Sequence, residues 1–212
     1  MKYGESTFDI IYLLFAVIMG IRILSIKGKA TARLAGIAVL TLGIGDAFHL
    51  IPRVINYFSS ADLTAWLGIG KFVTSITMTV FYLLLYRLWL ITYGEKENRK
   101  LTAGIYTLVA LRVILCLFPQ NGWLQNDSSA LWGIIRNIPF VALGLVVILL
   151  FYKKRNEVRL YRSLWLLITL SFLFYIPVAV AAGIVPMLGM LMLPKTICYM
   201  IMIWLFWKKE SE

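Results

Sequence analysis

The chain has 212 residues, of which 61% are hydrophobic and 15% charged, and a formal net charge of +11. Soluble domains are about half apolar and about a quarter charged. With a mean hydropathy of +0.84, the composition excludes an ordinary soluble domain and points to an integral membrane protein. No repeat, low-complexity tract or soluble extension is visible, so residues 1–212 read as a single transmembrane domain.

A membrane span needs roughly 20 mostly apolar residues. Seven segments are predicted, at 7–25, 34–57, 64–93, 101–118, 131–152, 162–183 and 186–208, giving an all-α, seven-helix bundle. The first is followed by Lys27 and Lys29 rather than a small-residue cleavage site, and reads as a retained helix. Span two carries "GIGDAFHLIPRV" (residues 43–54), which holds the only histidine of the chain. Its Asp46, His49 and Arg53 stand at i, i+3 and i+7, on one helix face. On span three Lys71, Thr74, Ser75, Met78 and Tyr82 form a similar stripe; span four carries Arg112; span five has Arg136 beside Asn137; Lys195 and Tyr199 are one turn apart on span seven. Pro52, Pro139, Pro177 and Pro194 fall within spans two, five, six and seven, where proline removes a backbone donor and tends to kink a helix. Cys116 and Cys198 form no ligand spacing.

The connectors set the topology. Fifteen of the 21 basic residues cluster after spans one, three, five and seven, whereas "SSAD", "PQNGWLQNDSSA" and "GIVP" contain no Lys or Arg. The positive-inside rule then puts the N-terminus outside and the C-terminus in the cytoplasm. Most of the positive charge is thus accounted for by topology and by attraction to membrane lipid headgroups, and no nucleic-acid partner is expected.

Five basic residues remain besides Lys2: Arg53, Lys71, Arg112, Arg136 and Lys195, all in the outer half of their spans. Ionisable groups at such depth are costly unless they face water or a partner. Their one deep counter-charge is Asp46, with Asp9 on span one as a second. The expectation is an electropositive cavity open to the outer leaflet, occupied by an anionic or lipid-like small molecule bearing phosphate or carboxylate. Substrate-binding candidates are Arg53, Lys71, Ser75, Arg112, Arg136, Lys195 and Tyr199. Asp46 and His49 are candidate proton-handling catalysts, or a counter-ion and a packing histidine, and Ser75 is a candidate neighbour of His49. A lone histidine gives no three-His zinc site, and neither metal nor cofactor is expected. Seven helices with a lysine in the last resemble microbial rhodopsins in topology alone, since span three offers Lys71 where those proteins carry an acid.

"GDAFHLIPR" resembles the Gly-Asp-x-x-Leu-x-Pro-Arg stretch of the lysoplasmalogenase (YhhN-like) membrane family, and "GKFVTSITMTVFY" is similar to that family's next helix at Gly70, Phe72, Ser75 and Tyr82. The resemblance covers residues 40–85. It implies a bacterial inner-membrane protein that hydrolyses the vinyl-ether bond of lysoplasmalogens, with Asp46 as catalytic carboxylate and Arg53 and Ser75 in the pocket. The chain departs from the family pattern at Ile76, where members carry histidine, and at Ser171–Phe172, where they pair serine with aspartate; members also have eight helices. Three readings stand: a hydrolase of an anionic lysophospholipid, a non-enzymatic receptor or transporter using the same pocket, and an accessory subunit whose polar residues pair internally. No oligomeric state follows from the sequence.

Overall fold

The computed structural model describes residues 2–127, 129–181 and 185–212. Among them are seven α-helices: α1 (Lys2–Leu24), α2 (Ala30–Phe58), α3 (Thr64–Thr92), α4 (Arg99–Leu117), α5 (Ala130–Lys153), α6 (Leu164–Ala181) and α7 (Met192–Ser211). All seven are long and apolar enough to cross a membrane, as an integral membrane protein requires. A helix suits these runs because it satisfies its backbone polar groups internally. Where chain direction changes, side chains meet the exposed amides: Asn98 Oδ1 accepts from the Lys100 and Leu101 N–H groups, and Ser129 Oγ from that of Trp132.

The boundaries differ from the expected spans at two informative places. Helix α1 starts at Lys2 rather than residue 7, which brings Glu5 and Ser6 onto the helix. Helix α7 starts at Met192, and the six residues before it form a 3-10 helix. Pro194 therefore sits in the first turn of α7, where a missing N–H costs no helical bond, while Pro52, Pro139 and Pro177 do lie inside helices. The expected end of span six and the first half of the "GIVP" connector lie outside the described residues.

Successive helices pack on one another, and α7 returns to pack on α1 and α2, closing a ring. Helix α3 is the enclosed member, reaching α2, α4 and α5, with Phe81, Tyr82, Leu85, Tyr86 and Leu88 all buried. The outer faces carry large exposed apolar side chains, such as Leu14 and Ile18 on α1 and Leu145 and Leu149 on α5. The fifteen clustered basic residues lie at one end of the ring, here termed the basic end.

Ion pairs tie that end together. Buried Glu210 accepts from Thr31 Oγ1 at 2.7 Å and from Lys209 at 2.6 Å, and its carbonyl accepts from Lys29, so α7 is clamped to the start of α2. Lys154 bridges Glu157 and Glu95, which raises its ammonium above the ordinary lysine range.

Candidate functional site

The site begins with a close approach of α2 and α3. A Cβ on Gly45 would collide with the Thr77 side chain, and one on Gly70 with the Phe48 carbonyl and the His49 backbone. Glycine at these two positions lets the backbones touch, and Thr74 Oγ1 donates to the Gly45 carbonyl at 3.0 Å. The contact turns the Asp46–His49–Arg53 face and the Lys71–Thr74–Ser75 face toward the same space.

That space is a cavity of about 290 Å³ in the half of the bundle away from the basic end. Of the nine residues singled out in the sequence, eight line it: Asp46, His49 and Arg53 from α2, Lys71 and Ser75 from α3, Arg112 from α4, Arg136 from α5 and Lys195 from α7. Tyr175 of α6 completes the wall. Tyr199 is not part of it; it lies a turn deeper, buried, with its hydroxyl 3.3 Å from that of Tyr82.

Among the described residues, Asp46 is the one acid in the lining. Its Oδ2 accepts from Tyr12 of α1 at 2.6 Å, and it interacts electrostatically with Lys195 and with Asp9. The Lys195 ammonium stands between two rings, 5.0 Å from the centroid of Tyr175 and 5.5 Å from that of Tyr199. His49 faces the Leu67 carbonyl, and its buried Nδ1 has no hydrogen-bond partner among the described residues. Asp46 and His49 share the wall without bonding to each other. The Ser75 hydroxyl donates to its own helix, to the Lys71 carbonyl at 2.8 Å, and no Ser75–His49 hydrogen bond forms.

The charge balance differs in one respect from the sequence reading. Arg53 is paired with Glu5 on α1, and Tyr57 donates to the same carboxylate at 2.9 Å. Glu5 therefore joins Asp46 and Asp9 on the acidic side. Lys71, Arg112, Arg136 and Lys195 still outnumber the acids of the cavity wall.

The two arginines are held from outside the cavity. Buried Asn121, in the short 3-10 turn after α4, donates to the carbonyls of Leu115 and Phe118 at 2.8 Å each. Its Oδ1 accepts from Arg136 at 2.8 Å, while Trp123 lies under the same guanidinium at 4.4 Å. Gly122, at φ 57°, supplies the left-handed turn that returns Trp123 to this position. Arg112, 2% exposed, donates to the Arg136 carbonyl and lies 5.4 Å from the Phe140 ring. Below the cavity the rings of Tyr82, Phe140 and Phe172 meet at 5.2–5.3 Å between centroids, and form an aromatic floor toward the basic end.

Glu5, Tyr12, Asn121, Trp123 and Tyr175 were not singled out from the sequence. A signal existed for the first two: Glu5, Asp9, Tyr12 and Ala16 recur at i, i+4, i+7 and i+11, a polar-to-small stripe on α1. Asn121 lies in "PQNG", an ordinary turn sequence with no signature of its contacts. Among the described residues, no three His, Cys, Asp or Glu side chains are grouped as a metal site would require. Comparison of the chain with protein-family models, with curated proteins and with solved structures gives no match.

Proposed function

We propose that this chain is an integral membrane protein, N-terminus outside and C-terminus cytoplasmic, that takes the phosphate-bearing headgroup of an anionic amphiphile into the cavity lined by α2 to α7. One observation carries the reading: cations from five different helices converge on a cavity whose lining, among the described residues, contains a single acid. Keeping like charges together is costly unless an anion or water compensates them. Arg112 and Arg136 offer planar forks to phosphate oxygens, and Lys71 and Lys195 point charges. The aromatic floor argues against a transport path through the bundle, so binding from one side is favoured over transport.

A second reading has its own support. Asp46 and His49 both border the cavity, the histidine with a free nitrogen, and residues 40–85 resemble the lysoplasmalogenase family. In that reaction a carboxylic acid protonates the vinyl carbon, water adds to the resulting oxocarbenium carbon and returns a proton to the carboxylate, and the hemiacetal collapses to an aldehyde and a glycerophospho-headgroup alcohol. Asp46 is the proton donor of this reading, with His49 orienting water.

The test is thermal stability of the purified protein in neutral lipid nanodiscs with glycerol 3-phosphate or a lysophospholipid. Stabilisation by both, lost in Lys71→Ala and Lys195→Ala, is expected; equal stabilisation of these variants overturns the binding reading. Aldehyde release from a lysoplasmalogen, abolished in Asp46→Asn, separates the hydrolase from the binder.

A further inference from the structure

The headgroup cavity has an apolar neighbour. Between α5 and α6 runs a groove of about 400 Å³, walled by Ile138, Ala142, Leu145, Ile176 and Val180. Ile138 and Leu145 are 61% and 54% exposed, so the groove opens on the outside of the bundle. Tyr175 and Ala179 line both the groove and the basic cavity. At that junction stand two linked polar contacts: Tyr175 donates to Asn137 Oδ1 at 2.7 Å, while Asn137 Nδ2 donates to the Gly133 carbonyl at 2.8 Å. The other face of Tyr175 carries the Lys195 ammonium. Tyr175, with Ala179 beside it, thus stands between a cationic chamber and an apolar, outward-facing slot.

Resting on the headgroup reading above, we propose that the α5–α6 groove holds the hydrocarbon chain of the same amphiphile, and that the ligand enters sideways past Tyr175. An anionic single-chain lipid matches both halves. Its phosphate meets Lys71, Lys195, Arg112 and Arg136, and its chain lies along Ile138 and Ala142, where apolar burial favours it. The Tyr175–Asn137 hydrogen bond closes the passage, and its opening lets the glycerol segment cross between α5 and α6.

Photo-crosslinking tests this on the intact chain in phosphatidylcholine nanodiscs, using lysophosphatidic acid with a diazirine in mid-chain. The expected labels fall on residues 134–145 and 175–180, and drop about tenfold in Lys195→Ala, since the chain is held there by its headgroup. Ala142→Trp, which fills the slot from its exposed side, is expected to remove the labels while leaving stabilisation by glycerol 3-phosphate intact. Labels spread around the bundle, or labels on α5 and α6 that persist unchanged in Lys195→Ala, describe ordinary surrounding lipid and overturn the proposal. Stabilisation by glycerol 3-phosphate with scattered labels removes the groove alone, whereas no response to glycerol 3-phosphate and no specific label removes the headgroup reading as well.

Discussion

Tyr12 of α1 donates its phenolic hydrogen to Asp46 Oδ2 of α2 at 2.6 Å, which gives the acid of the cavity wall a fixed partner on a neighbouring helix. Tyr12 is itself buried, so the bond is shielded from solvent on the α1 side. The pair joins two helices at the depth where the basic cavity ends. Removing the donor leaves Asp46 to Lys195 alone. Tyr12→Phe is expected to lower stability by about 1–3 kcal/mol, the cost of an unmet buried acceptor. In a double-mutant cycle with Asp46→Asn the two losses should be clearly non-additive. Thermal unfolding in detergent measures both, and additive losses would show the bond to be energetically idle.

Glu5 sets how much positive charge the cavity presents. It pairs with Arg53 at the rim, with side chains 19% and 25% exposed, so the pair is only partly screened. Glu5→Gln frees the guanidinium and is expected to tighten glycerol 3-phosphate binding by several-fold, whereas Arg53→Ala weakens it by a similar factor. Both effects should shrink at high salt. Calorimetric titration at two ionic strengths reads them, and a Glu5→Gln variant that binds more weakly than the parent contradicts the assignment.

Asn121 is expected to be the most sensitive residue of the connectors. It is fully buried, caps three carbonyls at the end of α4 and accepts from Arg136. Asn121→Ala leaves these groups unmet in a place water does not reach and should cost about 2–4 kcal/mol. Substitution of the exposed Gln125 in the same connector should be neutral. Unfolding temperatures of the two variants decide this, and equal values would remove Asn121 from the support of the site.

Glycine spacing between α2 and α3 offers a geometric check. Gly70→Ala puts a methyl group against backbone atoms of Phe48 and His49, which cannot yield without parting the helices. A loss of about 1–3 kcal/mol and weaker anion binding are expected. Gly104→Ala on α4 meets nothing within 4 Å and should be neutral or slightly stabilising, alanine being the better helix former. Equal tolerance at both sites would mean that α2 and α3 do not touch there.

Orientation is open to direct labelling. Cys116 and Cys198 are both buried, so a cysteine placed at Ser60 or at Glu97 reports accessibility with little background. A membrane-impermeant maleimide applied to intact cells should label Ser60→Cys and spare Glu97→Cys. The reverse pattern would invert the topology.

Helix number and the grouping of polar residues on single faces were legible in the sequence because both depend on short-range rules. A run of apolar residues must close its own backbone hydrogen bonds, and 3.6 residues per turn put Asp46, His49 and Arg53 on one side whatever surrounds them. The charge asymmetry of the connectors is equally local. Partnership across helices is not: which helix faces Asp46 depends on how α1 rotates about its axis, and the answer, Tyr12, lies 34 residues away. The pairing of Glu5 with Arg53, the placement of Asn121 beneath Arg136 and the Tyr175 wall between chamber and groove arise in the same way, from seven helices packing at once. Tyr199 shares a face with Lys195 in the sequence, yet it lies outside the cavity wall with its hydroxyl 3.3 Å from that of Tyr82, because the depth at which α7 meets the α3 side chains is set by the packed bundle.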